Sequence, residues 1–114
     1  MYFNGVISNL NGGRGIYGIY CNDILIYIGY TYNSFNERYD QHREYFSKKA
    51  GPLPMYSKYD LNKIEFRELV TEEDIQKLFE TDCAIDREIL QIIEYSLIKV
   101  LNPIENAQGR IRPY

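Results

Sequence analysis

Apolar residues occur in three patterns along the chain, and each predicts a different element. Residues 15–20 (Gly-Ile-Tyr-Gly-Ile-Tyr) and 24–30 (Ile-Leu-Ile-Tyr-Ile-Gly-Tyr) are short runs of strand formers separated by the turn residues Asn22-Asp23. A connection that short makes an antiparallel hairpin. Residues 62–70 (Asn-Lys-Ile-Glu-Phe-Arg-Glu-Leu-Val) alternate between apolar and polar, the mark of a half-buried third strand. Helical spacing appears elsewhere. Ser34 followed by Glu37 is a capping box that opens a helix to about Lys49, with Arg38 and His42 one turn apart on it. Gly51-Pro52-Leu53-Pro54 ends that helix, and residues 55–61 read as a loop. Thr71 with Asp74 starts a short helix over about 72–80. Thr81 or Asp82 caps a last helix over about 83–101, with Ile85, Ile89, Ile92, Ile93, Leu97 and Val100 as its apolar stripe and Asn102-Pro103 as its stop. Residues 8–14 form a turn-rich lead-in, and Arg110 to Tyr114 a basic, aromatic tail. The expected fold class is α/β of the α+β kind: a three-stranded antiparallel sheet flanked by helices, since a hairpin with an apolar face must be covered.

Length and composition fit one domain over residues 1–114. Hydrophobic residues make up 45% and charged residues 25%, which supplies a core and argues against disorder. Tyr occurs 12 times and Trp not at all, so most aromatic rings here carry a hydroxyl. Most of these tyrosines are expected to be half-buried packing residues. The net charge of −3 and pI of about 5.1 are the wrong sign overall for gripping phosphates. Any nucleic-acid site must therefore be a local patch on an acidic body. No apolar run is long enough to span a bilayer, and the N-terminus lacks the pattern of a signal peptide. Cys21 and Cys83 are the only cysteines and read as reduced thiols of a cytoplasmic protein.

Several polar residues sit at informative places. Tyr17 and Tyr27, ten positions apart, fall on the paired strands of the hairpin, and Gly29 leaves the backbone open to close approach. Glu94 lies at the margin of the last helix's apolar face, beside Leu90, Ile98 and Leu101. A carboxylate among aliphatics costs desolvation energy unless it is paired or binds a cation. A salt bridge to Arg87 is the structural alternative. Taken singly, Tyr17 and Tyr27 read as packing residues, Arg38 and His42 as a solvated helix face, and Asn106 as a turn residue.

Taken together and in order, these residues resemble the GIY-YIG nucleases. Gly15-Ile16-Tyr17 and Tyr27-Ile28-Gly29 match the two tripeptides that name the family, and the likeness continues through Thr31, Arg38, His42, Glu94 and Asn106. It covers residues 15 to about 106. Gly18-Ile19-Tyr20 repeats the first tripeptide but stands too near Tyr27 to leave strand for the hairpin. The resemblance implies hydrolysis of phosphodiester bonds of nucleic acid, DNA in preference to RNA, with one divalent cation per site, Mg²⁺ or Mn²⁺. Glu94 would hold the cation. Arg38 would meet the phosphate charge with a fork that grips two oxygens. Tyr17 is the first candidate for general base, and His42 the second. A free Tyr titrates near 10, so Tyr17 would need a cation nearby, from the metal water or Arg38. Tyr27 would orient water or phosphate, and Asn106 would support the site. Gly29, Thr31, Arg43, Lys48 and Lys49 would contact substrate, in a patch extended by Arg110 and Arg112. Tyr30 departs from the small or basic residues common at its place among relatives and would narrow the site. The length leaves no room for a separate DNA-recognition domain. A membrane partner is not expected, and a homodimer stays open. The alternative is a catalytically inactive module of the same fold that binds nucleic acid or a protein; a small tyrosine-rich protein-binding domain is a further one.

Overall fold

The computed structural model describes Phe3 and residues 12–106. The lead-in up to residue 11 and the tail with Arg110 and Arg112 lie outside the described residues. The chain forms β1 (Gly15–Cys21), β2 (Ile24–Thr31), α1 (Phe35–Lys48), β3 (Ile64–Thr71), α2 (Glu72–Leu78) and α3 (Arg87–Leu101). The sheet has the order β2-β1-β3, with both pairings antiparallel. The expected α+β architecture is therefore the observed one.

Local chemistry explains most of the boundaries. Asn22 and Asp23 both adopt positive φ (50° and 65°), as a tight turn matched to strand twist demands. Ser34 accepts the Glu37 N–H at 3.1 Å, and Lys49 closes α1 in the left-handed conformation. Thr71 and Asp74 make a full capping box at α2. Residues 55–61 are not a plain loop. Pro54–Ser57 is a turn of 3₁₀ helix that buries Met55 and Tyr56, and Leu61–Lys63 is a second such turn leading into β3.

The last helix differs from expectation at its start. It begins at Arg87, and its cap is Asp86, whose carboxylate accepts the Ile89 N–H at 3.0 Å. Thr81 instead accepts the Cys83 N–H in a local turn, and Ile85 is held outside the helix. Its N–H donates to Glu72 at 2.8 Å, and its carbonyl accepts from Arg14 at 3.1 Å. The buried side of α3 is also rotated from the expected stripe. Leu90 and Ile98 are buried, Ile89, Ile93 and Leu97 partly so, while Ile92 and Val100 are exposed.

Alternation along the strands divides the interior in two. On one face of the sheet, Tyr17, Ile19, Ile64 and Phe66 pack with Phe35, Tyr39 and Phe46 of α1, with Phe3, and with Met55 and Tyr56. On the other, Ile16 and Ile28 pack with Ile75 of α2, with Ile85, and with Leu90 and Ile98 of α3. The outer edge of β2 is not left open. Asn106 donates to the Ile28 carbonyl (2.8 Å) and accepts the Ile28 N–H (2.7 Å), so its side-chain amide substitutes for a neighbouring strand. Glu105 N–H adds a bond to the Ile26 carbonyl at 2.8 Å. Cys21 and Cys83 are unpaired thiols.

Candidate active site

A pocket of about 380 Å³ opens beside β2. Its floor comes from the hairpin, through Tyr17, Tyr27, Gly29 and Tyr30. One wall is a helical row on α1, formed by Arg38, Gln41, His42 and Tyr45. Tyr56 and its neighbours Pro52 and Leu53 make a second wall. Glu94 comes from α3, which packs on the opposite face of the sheet. It gets there because β2 is an edge strand: a side chain from behind reaches over the edge at Tyr30. Tyr17, Tyr27, Arg38, His42 and Glu94 thus share one concavity, although they descend from both layers.

Gly29 makes this packing fit. It sits opposite Tyr17 in the β1–β2 register, and the Tyr17 ring lies across it. A Cβ at position 29 would collide with the Tyr17 hydroxyl and stand 2.5 Å from its Cζ. The close approach expected at Gly29 is therefore made by the protein's own tyrosine.

The Tyr17 hydroxyl lies 2.8 Å from Nε2 of His42, and the Tyr56 hydroxyl lies 2.9 Å from Nδ1. All three side chains are buried, with exposures of 3%, 2% and 6% for Tyr17, Tyr56 and His42. Burial and the nearby Arg38 push the His42 pKa down to about 3, so the ring is neutral at ordinary pH. Burial, reinforced by Tyr27, holds Tyr17 well above the usual phenol range. Arg38, one of the two cations considered for activating Tyr17, pulls the other way but less strongly. Burial and then Glu94 raise Tyr27 to about 12. Glu94 itself is pushed up to about 7 by burial, opposed by a backbone hydrogen bond at Tyr30 and by Arg38.

Other expected site residues lie elsewhere. Thr31 is buried in the β2–α1 turn, donating to the Ser34 carbonyl and accepting from Asn33 N–H, each at 3.2 Å. Its hydroxyl fixes the turn and does not line the pocket. Asn106 bonds the β2 backbone at Ile28 and does not line the pocket. Arg43, Lys48 and Lys49 are exposed but outside the pocket lining, and Lys48 pairs with Glu44 at 2.7 Å. Among the lining residues, Arg38 is the cation and Glu94 the carboxylate, so the lining is not basic. Arg87 is over the Tyr32 ring at 5.0 Å, a contact other than the Glu94 ion pair considered from sequence. Tyr30 lines the pocket, but its side chain packs with the α3 layer, where Gln91 donates to its hydroxyl at 3.1 Å. Tyr56 was missed by the sequence reading; the signal for it was Pro54 followed by two large side chains, a helical start inside an assigned loop.

No family model, curated protein or solved structure matches the chain.

Proposed function

We propose that the chain is a metal-dependent endonuclease of the GIY-YIG type, cutting nucleic acid, DNA in preference to RNA, with a single Mg²⁺ or Mn²⁺. The observation that carries this reading is the meeting of Glu94, from one side of the sheet, with Arg38, His42 and the two tyrosines from the other. A packing carboxylate has no need to cross a strand edge to reach a guanidinium and two phenols.

Glu94 suits a hard cation. Burial leaves its charge poorly solvated, and a divalent ion would relieve that penalty. Among the described residues, no group of three or more His, Cys, Asp or Glu side chains is arranged to hold a metal. One carboxylate with water and phosphate oxygens is a usual Mg²⁺ environment, and it makes binding weak without substrate. Bound there, the ion would act as a Lewis acid on the leaving oxygen. Arg38, held by a 2.9 Å bond to Gln41, meets the charge that grows on the phosphate oxygens. Tyr17, fixed by His42, presents its hydroxyl to the attacking water, and Tyr27 orients water or phosphate beside it. Among the described residues, no helix is long and apolar enough to cross a membrane. Unpaired thiols fit a cytoplasmic setting.

The test is incubation of plasmid, single-stranded DNA and RNA with Mg²⁺ or Mn²⁺, repeated with EDTA. Cutting that requires the metal and is lost in Glu94→Gln supports the reading. Absence of cutting on every polymer refutes it and favours a binding module.

A further inference from the structure

The buried side chains of the pocket set a chemical problem. His42 does not take a proton readily beside Arg38, and Tyr17 does not give one up to solvent. A base that must become charged is therefore costly here. The geometry offers a path on which nothing becomes charged.

A neutral imidazole has one N–H and one lone pair. Both nitrogens of His42 are occupied by tyrosine hydroxyls, at 2.8 and 2.9 Å. One tyrosine therefore donates to the ring and the other accepts from it. When Tyr17 donates to Nε2, Nδ1–H donates to Tyr56, and the Tyr56 hydroxyl proton is free for another acceptor. Tyr17 and Tyr56 both line the pocket, on either side of the imidazole. Tyr56 is held in place by edge-on contact with Phe46, with ring centroids 4.9 Å apart.

We propose, building on the nuclease reading, that Tyr17, His42 and Tyr56 form a neutral proton relay in which Tyr56 is the acid that protonates the leaving oxygen. The attacking water gives a proton to the Tyr17 oxygen as its own oxygen bonds to phosphorus. The Tyr17 hydroxyl proton passes to Nε2. The Nδ1 proton passes to the Tyr56 oxygen. The Tyr56 hydroxyl proton passes to the leaving oxygen as its bond to phosphorus breaks. Each side chain ends with as many protons as it began with, and the imidazole has exchanged tautomers. The same path run backwards with pocket water restores it. Arg38, Glu94, Tyr27 and Tyr45 also face this pocket, and none of them need change charge in these transfers.

Two measurements test the relay. The first compares Tyr56→Phe and Tyr17→Phe on two diesters, an oligodeoxynucleotide and the p-nitrophenyl ester of thymidine 5′-phosphate. The nitrophenolate leaves without a proton. On that ester the Tyr56 proton passes to pocket water. Tyr56→Phe blocks the outlet of the relay on both substrates and removes the acid as well on the oligonucleotide. Its loss there should be about a hundredfold or more, the usual scale of general acid catalysis, and about tenfold or more greater than its loss on the nitrophenyl ester. Tyr17→Phe should lose activity about equally on both. Equal losses for Tyr56→Phe on the two esters, or no loss on either, would overturn the acid role. The second measurement is nitrogen NMR of the imidazole, unambiguous because His42 is the only histidine. The ring should stay neutral from about pH 5 to about pH 8. Tyr56→Phe should shift it toward Nε2–H and Tyr17→Phe toward Nδ1–H, because a buried N–H without an acceptor is avoided. An imidazolium in that range, or unchanged tautomers in both variants, would overturn the relay whatever the enzyme cuts. A wild type inert on both esters refutes the nuclease reading and the relay's catalytic use together, and the NMR result still decides the hydrogen-bonded chain.

Discussion

Glu94→Gln isolates the electrostatic cost built into the pocket. Burial raises the carboxyl from 4.5 to about 7, so the folded protein favours the protonated acid more than the unfolded chain does. The stability linked to that proton is fully present below pH 4.5 and is lost as pH rises through about 7. At about 1.36 kcal/mol per pKa unit, the loss is about 3 kcal/mol as an upper value. Gln resembles the neutral acid in size and shape and carries no such proton. Parent and variant should therefore melt together near pH 4.5, and the variant should gain as pH rises, by up to about 3 kcal/mol above pH 8. For a domain of this size that is a rise in Tm on the order of 10 °C. The assay is thermal unfolding in EDTA across this pH range, repeated with Mg²⁺. Added Mg²⁺ should raise the parent's Tm at high pH and leave the variant's unchanged. A variant less stable than the parent at high pH, or a gap that does not widen with pH, would refute the reasoning and make Glu94 a structural ion-pair partner.

Arg38→Ala should reduce cleavage on the order of a hundredfold to a thousandfold, the usual loss for one transition-state donor, and should weaken nucleic-acid binding more than Glu94→Gln does; gel-shift and rate measurements check both. Gly29→Ala should displace the Tyr17 ring, costing about 1–3 kcal/mol in denaturant melts and breaking the Tyr17–His42 bond. Asn106→Ala should free both polar groups of Ile28, costing about 1–3 kcal/mol for each group left unsatisfied, with faster amide hydrogen exchange at Ile28 as the local readout.

Where one short segment carries its own instruction, sequence and structure agree. Asn22-Asp23, Ser34 and the Thr71–Asp74 pair set a turn and two helix starts by bonds that close within a few residues. The start of α3 is different. Thr81 has the chemistry of a cap and uses it on Cys83, but Ile85 is kept out of the helix by Glu72 and Arg14, which are remote in sequence. Periodicity also fails on α3, because aliphatic residues occupy nearly every direction around it. Which side faces the sheet is decided by Ile16 and Ile28 beneath it. At the site, Tyr17, Tyr27, Arg38, His42 and Glu94 were legible through their order. Thr31 was placed by the same order, and Arg43, Lys48 and Lys49 by their charge, and neither says which way a side chain faces. Tyr56 was hidden because its partner is fourteen positions away, with a helix end between them.

The pocket draws on two hydrophobic clusters separated by a sheet. Each cluster is a natural unit of sub-global opening, and a hydrogen-exchange map should resolve them. Loosening of the α3 layer would carry Glu94 away while the tyrosines, His42 and Arg38 kept their places. Such a partly open form would be intact on one side and lack its carboxylate. A ligand that bridges Arg38 and Glu94 acts as a fastener between the layers. It should slow exchange in α3 as well as in α1, making one cooperative unit of two.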